Sequence, residues 1–308
     1  MILWSLRSSP LYFQRFARPQ EVRPPKCMMT VELRYYTDPA CDWSWATEPK
    51  LRRLLWEFGD ELWPRWVMGG LWRTVETSEH AHHLAIWLEV SARSGMPCDP
   101  RVWNGAPISS SYPGCQAVRA ACEQGSAAGY RYLRCLREGI FCERRKLDHP
   151  EALIAAAATA GLDLARFEID LRSHATLEAF AADLEDVRDP IESAGVEGKV
   201  LDVGHGKHRY ALPSAVFTAV DGNQHGVFGW QPYDAYREAA LAAGAQLQNE
   251  RPAEPVEAIE CFGRCATREI EELSRRPRPV VEAELWALAR EWRLQAIPVL
   301  TGVLWEIA

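Results

Sequence analysis

Apolar and polar positions change their period several times along the chain. Residues 31–36, VELRYY, form a short β-branched and aromatic run of the kind that makes a buried strand. The turn Thr37-Asp38-Pro39-Ala40-Cys41 follows it. From Trp43 the spacing is helical: Leu51, Leu54, Leu55, Phe58 and Leu62 lie at i, i+3, i+4, i+7 and i+11, one stripe of an amphipathic helix. Gly59 weakens that helix toward its end, and residues 63–70, WPRWVMGG, read as a second strand closing on a glycine pair. Residues 78–190 are helical almost throughout, divided by Pro113, Gly125, Gly129, Pro150, Gly161 and Pro190. A short apolar run then returns at 214–220, SAVFTAV, followed by the hairpin signal Asp221-Gly222-Asn223 and a partner strand, 225–230. Residues 232–243 start with Pro and stop at Gly244, as a helix does.

The order is βαβ, a helical block, then ββα, which is the thioredoxin topology. The fold class expected is α/β: a thioredoxin-like core over 31–76 and 197–247, with a large all-helical insertion over 77–196. Insertion at a loop costs little loop-closure entropy. Residues 251–258, RPAEPVEA, read as a linker to a small α-rich appendage over 251–308. There, 264–274 and 280–293 read as helices and 298–307 as a terminal strand or hairpin, which resembles a fragment of a winged helix. The appendage carries eight basic and ten acidic residues, a balance that disfavours DNA and favours packing or docking of a protein. Residues 1–30, Arg-rich and poor in acids, are expected to be a disordered leader.

Composition narrows the function classes. In 308 residues, 47% are apolar and 25% charged, ordinary values for a globular chain. No run of 18 uncharged apolar residues exists, which excludes a transmembrane helix and any membrane partner through one. The net charge of −7 argues against nucleic acid. Nine cysteines with no Cys-x-x-Cys pair fit neither a disulfide framework nor a zinc ribbon, and imply reduced thiols in the cytoplasm.

The chemistry lies in Asp38-Pro39-Ala40-Cys41-Asp42-Trp43-Ser44-Trp45. A thiol that follows a strand and opens a helix meets peptide N–H groups and the positive end of the helix dipole, which favour thiolate. Asp42 beside it, and burial by Trp43 and Trp45, work against ionisation. The net direction is open at this stage.

This segment resembles the DsbA family of thioredoxin-fold oxidoreductases, in which Cys-x-x-Cys opens the first helix. Leu212-Pro213-Ser214 resembles the family's cis-proline loop facing the active cysteine, and Gly226-Val227-Phe228-Gly229 its last strand. Residues 132–141 and 161–163 resemble the helical insertion of cytoplasmic members, among them protease adaptors and a polyketide-linked isomerase type. The resemblance implies Cys41 as nucleophile with Ser44 beside it. It implies Asp42, Trp43, Trp45, Leu212, Pro213 and Tyr112 as substrate-lining, with no metal and no resident cofactor. The fourth motif position is Ser44, so an internal disulfide cannot form. A mixed disulfide at Cys41 would be released by the substrate's own second thiol, by glutathione as co-substrate, or by Cys98, Cys115 or the Cys261/Cys265 pair. Single-cysteine exchange with protein thiols or disulfides is the leading expectation. The alternatives are a redox-inactive adaptor or chaperone docking a protein through the appendage, and glutathione chemistry like that of kappa-class glutathione transferases.

Other candidates are weaker. His80, His82 and His83 offer at most two metal ligands on one helix, and read as a polar rim. His205 and His208 flank a glycine-containing turn that lacks a nucleotide-loop pattern. The loop Ser109-Ser110-Ser111-Tyr112-Pro113 is placed to act as a lid, with Tyr112 facing the cleft. Cys261 and Cys265 would share a helix face if the segment were helical.

Overall fold

The computed structural model describes residues 31–203 and 207–308; the expected leader, 1–30, and His205 lie outside them. Strand β1, Val31–Thr37, pairs in parallel with β2, Leu62–Met68, through helix α1, Asp42–Phe58. Strands β5, Ser214–Thr218, and β6, Gln224–Phe228, continue the sheet antiparallel, in the order β2-β1-β5-β6. This is a thioredoxin-like sheet. Alternation splits its side chains between two layers. Val31, Leu33, Tyr35, Trp66 and Phe217 join the main core, whereas Tyr36, Val67, Val216 and Phe228 face a smaller cluster that includes Cys41, Tyr210 and Leu212.

The exposed edge of a sheet is a row of unpaired backbone groups. Here β2 is covered by the insertion's side chains. Ser126 Oγ donates to the Pro64 carbonyl (2.6 Å), Arg119 Nη1 donates to the Trp66 carbonyl (3.3 Å), and the Met68 N–H donates to Asp183 Oδ2 (2.9 Å). The insertion comprises α2 (His80–Ser94), α3 (Val102–Gly105), α4 (Tyr112–Cys122), α5 (Ser126–Phe141), α6 (Pro150–Thr159), α7 (Leu164–Leu171), α8 (His174–Asp186) and α9 (Glu192–Val196). A two-stranded ribbon that the residue pattern did not reveal, β3 (Val200–Asp202) with β4 (His208–Tyr210), follows it; each strand has only three residues. Helix α10, Tyr233–Ala242, closes the core.

The carboxy-terminal segment runs α11 (Pro255–Phe262), β7 (Cys265–Ala266), α12 (Thr267–Ser274), α13 (Arg278–Arg290), β8 (Leu294–Val299) and β9 (Gly302–Ile307). Its sheet order is β7-β9-β8, the strand and helix order of a winged helix. Residues 255–258, read above as linker, form the first turn of α11. Pro255 stands in that turn, where a missing N–H costs nothing, and Glu254 with Glu257 makes a capping box. The two prolines that suggest a linker therefore include a helix starter. Cys261 ends α11 and Cys265 lies in β7, so the two do not share a helix face.

Helix α1 is buried nearly all round, including its charged positions. Glu48 and Arg52 of α1, Arg134 and Arg137 of α5, and Glu269 of α12 form one buried ionic network. Arg134 grips Glu269 bidentately at 2.7 and 2.9 Å and reaches Glu138 at 2.7 Å. Arg52 donates to the carbonyls of Arg264 (3.0 Å) and Phe262 (3.4 Å), and Arg137 pairs with Glu48 and with Thr37 Oγ1. Three guanidiniums thus face three carboxylates, and core, insertion and winged helix meet on them.

Removing one member leaves a buried charge unpaired, at a cost of about 3–5 kcal/mol. The variant Glu269→Ala is expected to lose about that much stability, read as a lower urea midpoint for the full chain. Burial pushes the Glu48 carboxyl up, but Arg137, Arg134 and Arg52 outweigh it and hold it below its ordinary 4.5. A depressed carboxylate stabilises the fold above its unfolded pKa and loses that contribution as pH falls through the folded one. Unfolding midpoints measured from pH 7 downward should therefore begin to drop as the pH falls below about 4.5.

Candidate functional site

The site begins where β1 ends. Asp38 is fully buried and organises the turn. Its Oδ1 accepts the Ala40 N–H (2.8 Å), and its Oδ2 accepts the Leu71 N–H (2.7 Å), the Ser111 hydroxyl (2.8 Å) and the Cys115 thiol (3.2 Å). Burial pushes the Asp38 carboxyl up, and these four donors pull it back. From the other side, Arg137 Nη2 donates to the Asp38 carbonyl at 3.4 Å, so the ionic network holds the same turn.

Cys41 is the N-cap residue of α1, in extended conformation, and its carbonyl accepts the Trp45 N–H at 3.0 Å. Its side chain is 3% exposed. The sulfur donates to the Leu212 carbonyl at 3.8 Å, and the Leu212–Pro213 peptide is cis. The Pro213 carbonyl in turn accepts the Gly229 N–H at 2.8 Å, which ties this loop to the end of β6. Burial, then the adjacent Asp42 carboxylate, pushes the Cys41 thiol up to about 12; the Ser44 hydroxyl and amide oppose this without reversing it. The thiol is therefore neutral at physiological pH, and burial overrides the helix start.

The other expected site residues separate into those beside Cys41 and those elsewhere. Ser44 is fully buried one turn further on, and its hydroxyl makes no hydrogen bond of ordinary geometry among the described residues. Asp42 turns back on its own helix, accepting the Trp43 N–H at 2.8 Å. Trp43 is half-buried and packs on Trp230 (5.5 Å between centroids), with the Arg93 guanidinium over it at 4.9 Å. The Lys50 ammonium sits 4.0 Å over Trp230. This is a rim of indoles roofed by cations.

Trp45, expected to line substrate, instead turns into the insertion. It stacks on Phe141 at 5.7 Å, donates to the Pro97 carbonyl at 2.8 Å, and lies under Arg134. Tyr112, expected to face the cleft, packs edge-on against Phe180 at 5.3 Å and over Gly70. From that loop, Ser111 reaches the site instead, through Asp38. Arg209 escaped the sequence reading, and Asp38, Ser111 and Cys115 were named there without the cluster they form. Arg209 is within electrostatic reach of both Cys41 and Asp38, and burial lowers its pKa. The place of Asp38 between strand and cysteine is the sequence signal for its role in the turn.

No expected resolving thiol is activated. Burial pushes Cys98 up to about 11 and Cys265 up to about 12, and raises Cys115 and Cys261 as well. The eight described cysteines are all free thiols. His83 is buried between Trp72 (4.6 Å) and Trp103 (4.7 Å), and burial lowers its pKa. Among the described residues no group of three His, Cys, Asp or Glu could hold a metal ion, and no helix is long and apolar enough to cross a membrane.

Comparison with known proteins agrees with this architecture. Residues 35–189, half of the chain, match the family described as Thioredoxin. The chain is similar to the ClpXP adapter protein SpxH of Halalkalibacterium halodurans, 27% identical over 289 residues, covering 90% of this chain and 88% of that protein. The protein of the same name from Bacillus subtilis is 25% identical over 280 residues, covering 90% and 89%. Among solved structures, a putative protein disulfide isomerase from Nitrosomonas europaea aligns with a TM-score of 0.56 at 18% identity, covering 69% of this chain and 96% of that one. The cytosolic disulfide reductase DsbM from Pseudomonas aeruginosa aligns at 0.52 and 19% identity, covering 68% and 98%. At these identities the structures speak to the fold alone.

Alkylation of native protein with iodoacetamide, read per peptide by mass spectrometry, is expected to leave Cys41 almost unlabelled at pH 7–9, with rapid labelling only after unfolding. The substitution Asp42→Asn removes a charge that raises the thiol's pKa, so it should lower that pKa and speed labelling without reaching a free-thiol rate.

Proposed function

The chain belongs to the thioredoxin family, and on that premise we propose that it works as a cytoplasmic protein adapter rather than by turning over disulfides. The observation that carries this reading is the setting of Cys41: buried and facing a carbonyl, with Ser44 where a resolving cysteine would stand, so that burial pushes the thiol up to about 12. An exchange enzyme needs an accessible thiolate. Its similarity to ClpXP adapter proteins over nine-tenths of its length supports delivery of a client protein to a ClpXP-type protease.

The surface we assign to a protein partner is α13 of the winged helix. Val280, Ala283 and Trp286 lie at i, i+3 and i+6, all exposed, with Trp286 half in solvent and Trp292 just beyond the helix 87% exposed. Arg278 and Arg290 stand at the two ends of α13, whereas a third helix with arginines along its outer face would suit DNA. One that presents indoles suits the apolar core of a protein interface, where tryptophan anchors dominate.

A second reading, single-cysteine exchange at Cys41 with glutathione as co-substrate and Ser44, Trp43, Leu212 and Pro213 around it, draws support from the cis-proline loop opposite the sulfur. One experiment separates the two. The half-life of a co-purified client is measured with the host's ClpXP and the full chain, beside a disulfide-exchange assay. Cys41→Ser should leave delivery unchanged. The double change W286A/W292A should weaken client or protease binding by about 2 kcal/mol or more, roughly thirtyfold. Loss of delivery in Cys41→Ser, with exchange activity in the parent, would overturn the adapter reading.

A further inference from the structure

A cleft of about 840 Å3 opens beside the outer edge of β2, within the range of about 300–1,000 Å3 for small-molecule sites. Trp63 and Arg65 of β2, Arg119 and Glu123 at the end of α4, Ser126 at the start of α5, and Arg166 of α7 line it. It is not part of the Cys41 site. Trp63 pairs with Glu32 at the beginning of β1, whereas Cys41 lies beyond the other end, where Thr37 pairs with Met68.

Three guanidiniums and one carboxylate border the cleft, and an acid stands behind each guanidinium. The acids behind them stand at ion-pair distance: Asp186 is 3.9 Å from Arg65, Asp183 3.7 Å from Arg119 and Asp170 3.5 Å from Arg166. They hold the arginines in place while 38% of the Arg65 side chain and 55% of the Arg166 side chain remain in solvent. Arg166 also donates to the Glu123 carbonyl, which fixes it against the cleft wall. Planar guanidiniums pair bidentately with phosphate and carboxylate. Helix α5 adds to this: its first turn borders the cleft, and its N-cap, Gly125, supplies no side-chain cap. The half-buried Trp63 indole adds a flat apolar wall.

We propose that this cleft binds a small polyanion, a compact group bearing phosphates, held by Arg65, Arg119 and Arg166. Such a site would let the chain sense a soluble anion at a place remote from both Cys41 and α13.

Calorimetric titration of the full chain at low ionic strength, with pyrophosphate and separately with ATP, tests it. Saturable one-site binding of pyrophosphate is expected. It should weaken with salt, and R65Q and R166Q should each weaken it about tenfold or more, since hydrogen bonds to charged groups are the strong ones. Cys122 also lines the cleft, so bound anion should slow its alkylation as well. Circular dichroism of both variants should match the parent. Tighter binding of ATP that W63A abolishes would make the ligand a nucleotide; equal binding would confine recognition to the phosphates. Absence of binding by either probe at millimolar concentration, or binding undiminished in R65Q/R166Q, would overturn the proposal.

Discussion

The buried network of Glu48, Arg52, Arg134, Arg137 and Glu269, with Glu138 at its margin, is the constraint on which the rest of the molecule depends. Its members come from the first core helix, the long helix of the insertion and the second helix of the winged unit. Charges taken out of water are stable only when paired and hydrogen-bonded in good geometry, and each arginine here finds carboxylates or carbonyls from another segment. A hydrophobic contact would tolerate sliding. A bidentate arginine does not, so the network sets the register of three segments that are distant in sequence.

The same network reaches the cysteine. Arg137 touches Thr37 and Asp38, and Asp38 gathers Leu71, Ser111 and Cys115 around the turn before Cys41. The turn is held from both sides and the thiol is packed beneath the Leu212 loop. The sulfur is closed off from solvent, and burial decides its protonation. What stays accessible is the indole rim of Trp43 and Trp230 and, further away, the outer face of α13.

Buried ion pairs join the winged helix to the thioredoxin-like core and to the insertion. The cleft beside β2 belongs to the same rigid frame: Ser126 and Arg119, which close the sheet edge, also border it.

By itself the sequence determined the local events. The β-branched and aromatic run 31–36 made a strand, the leucine stripe made α1, Asp221-Gly222-Asn223 made a hairpin, and their order made the thioredoxin-like sheet. It also carried the helices and terminal hairpin of the winged unit, because these are short-range patterns of period 3.6 and 2. It misled where one residue type has two uses, as with Pro255, which starts a helix inside an apparent linker. It was silent on the buried charges: no local pattern marks Glu48, Arg52 and Arg134 as buried, and it is packing that closes over them. Trp45 belongs to the same class: an aromatic near a motif can face ligand or core, and only the packing of Phe141 against it chose core. The ionisation of Cys41 was the sharpest case. Helix start and neighbouring acid pull in opposite directions, and the desolvation that outweighs both exists only once the tertiary structure has closed over the sulfur.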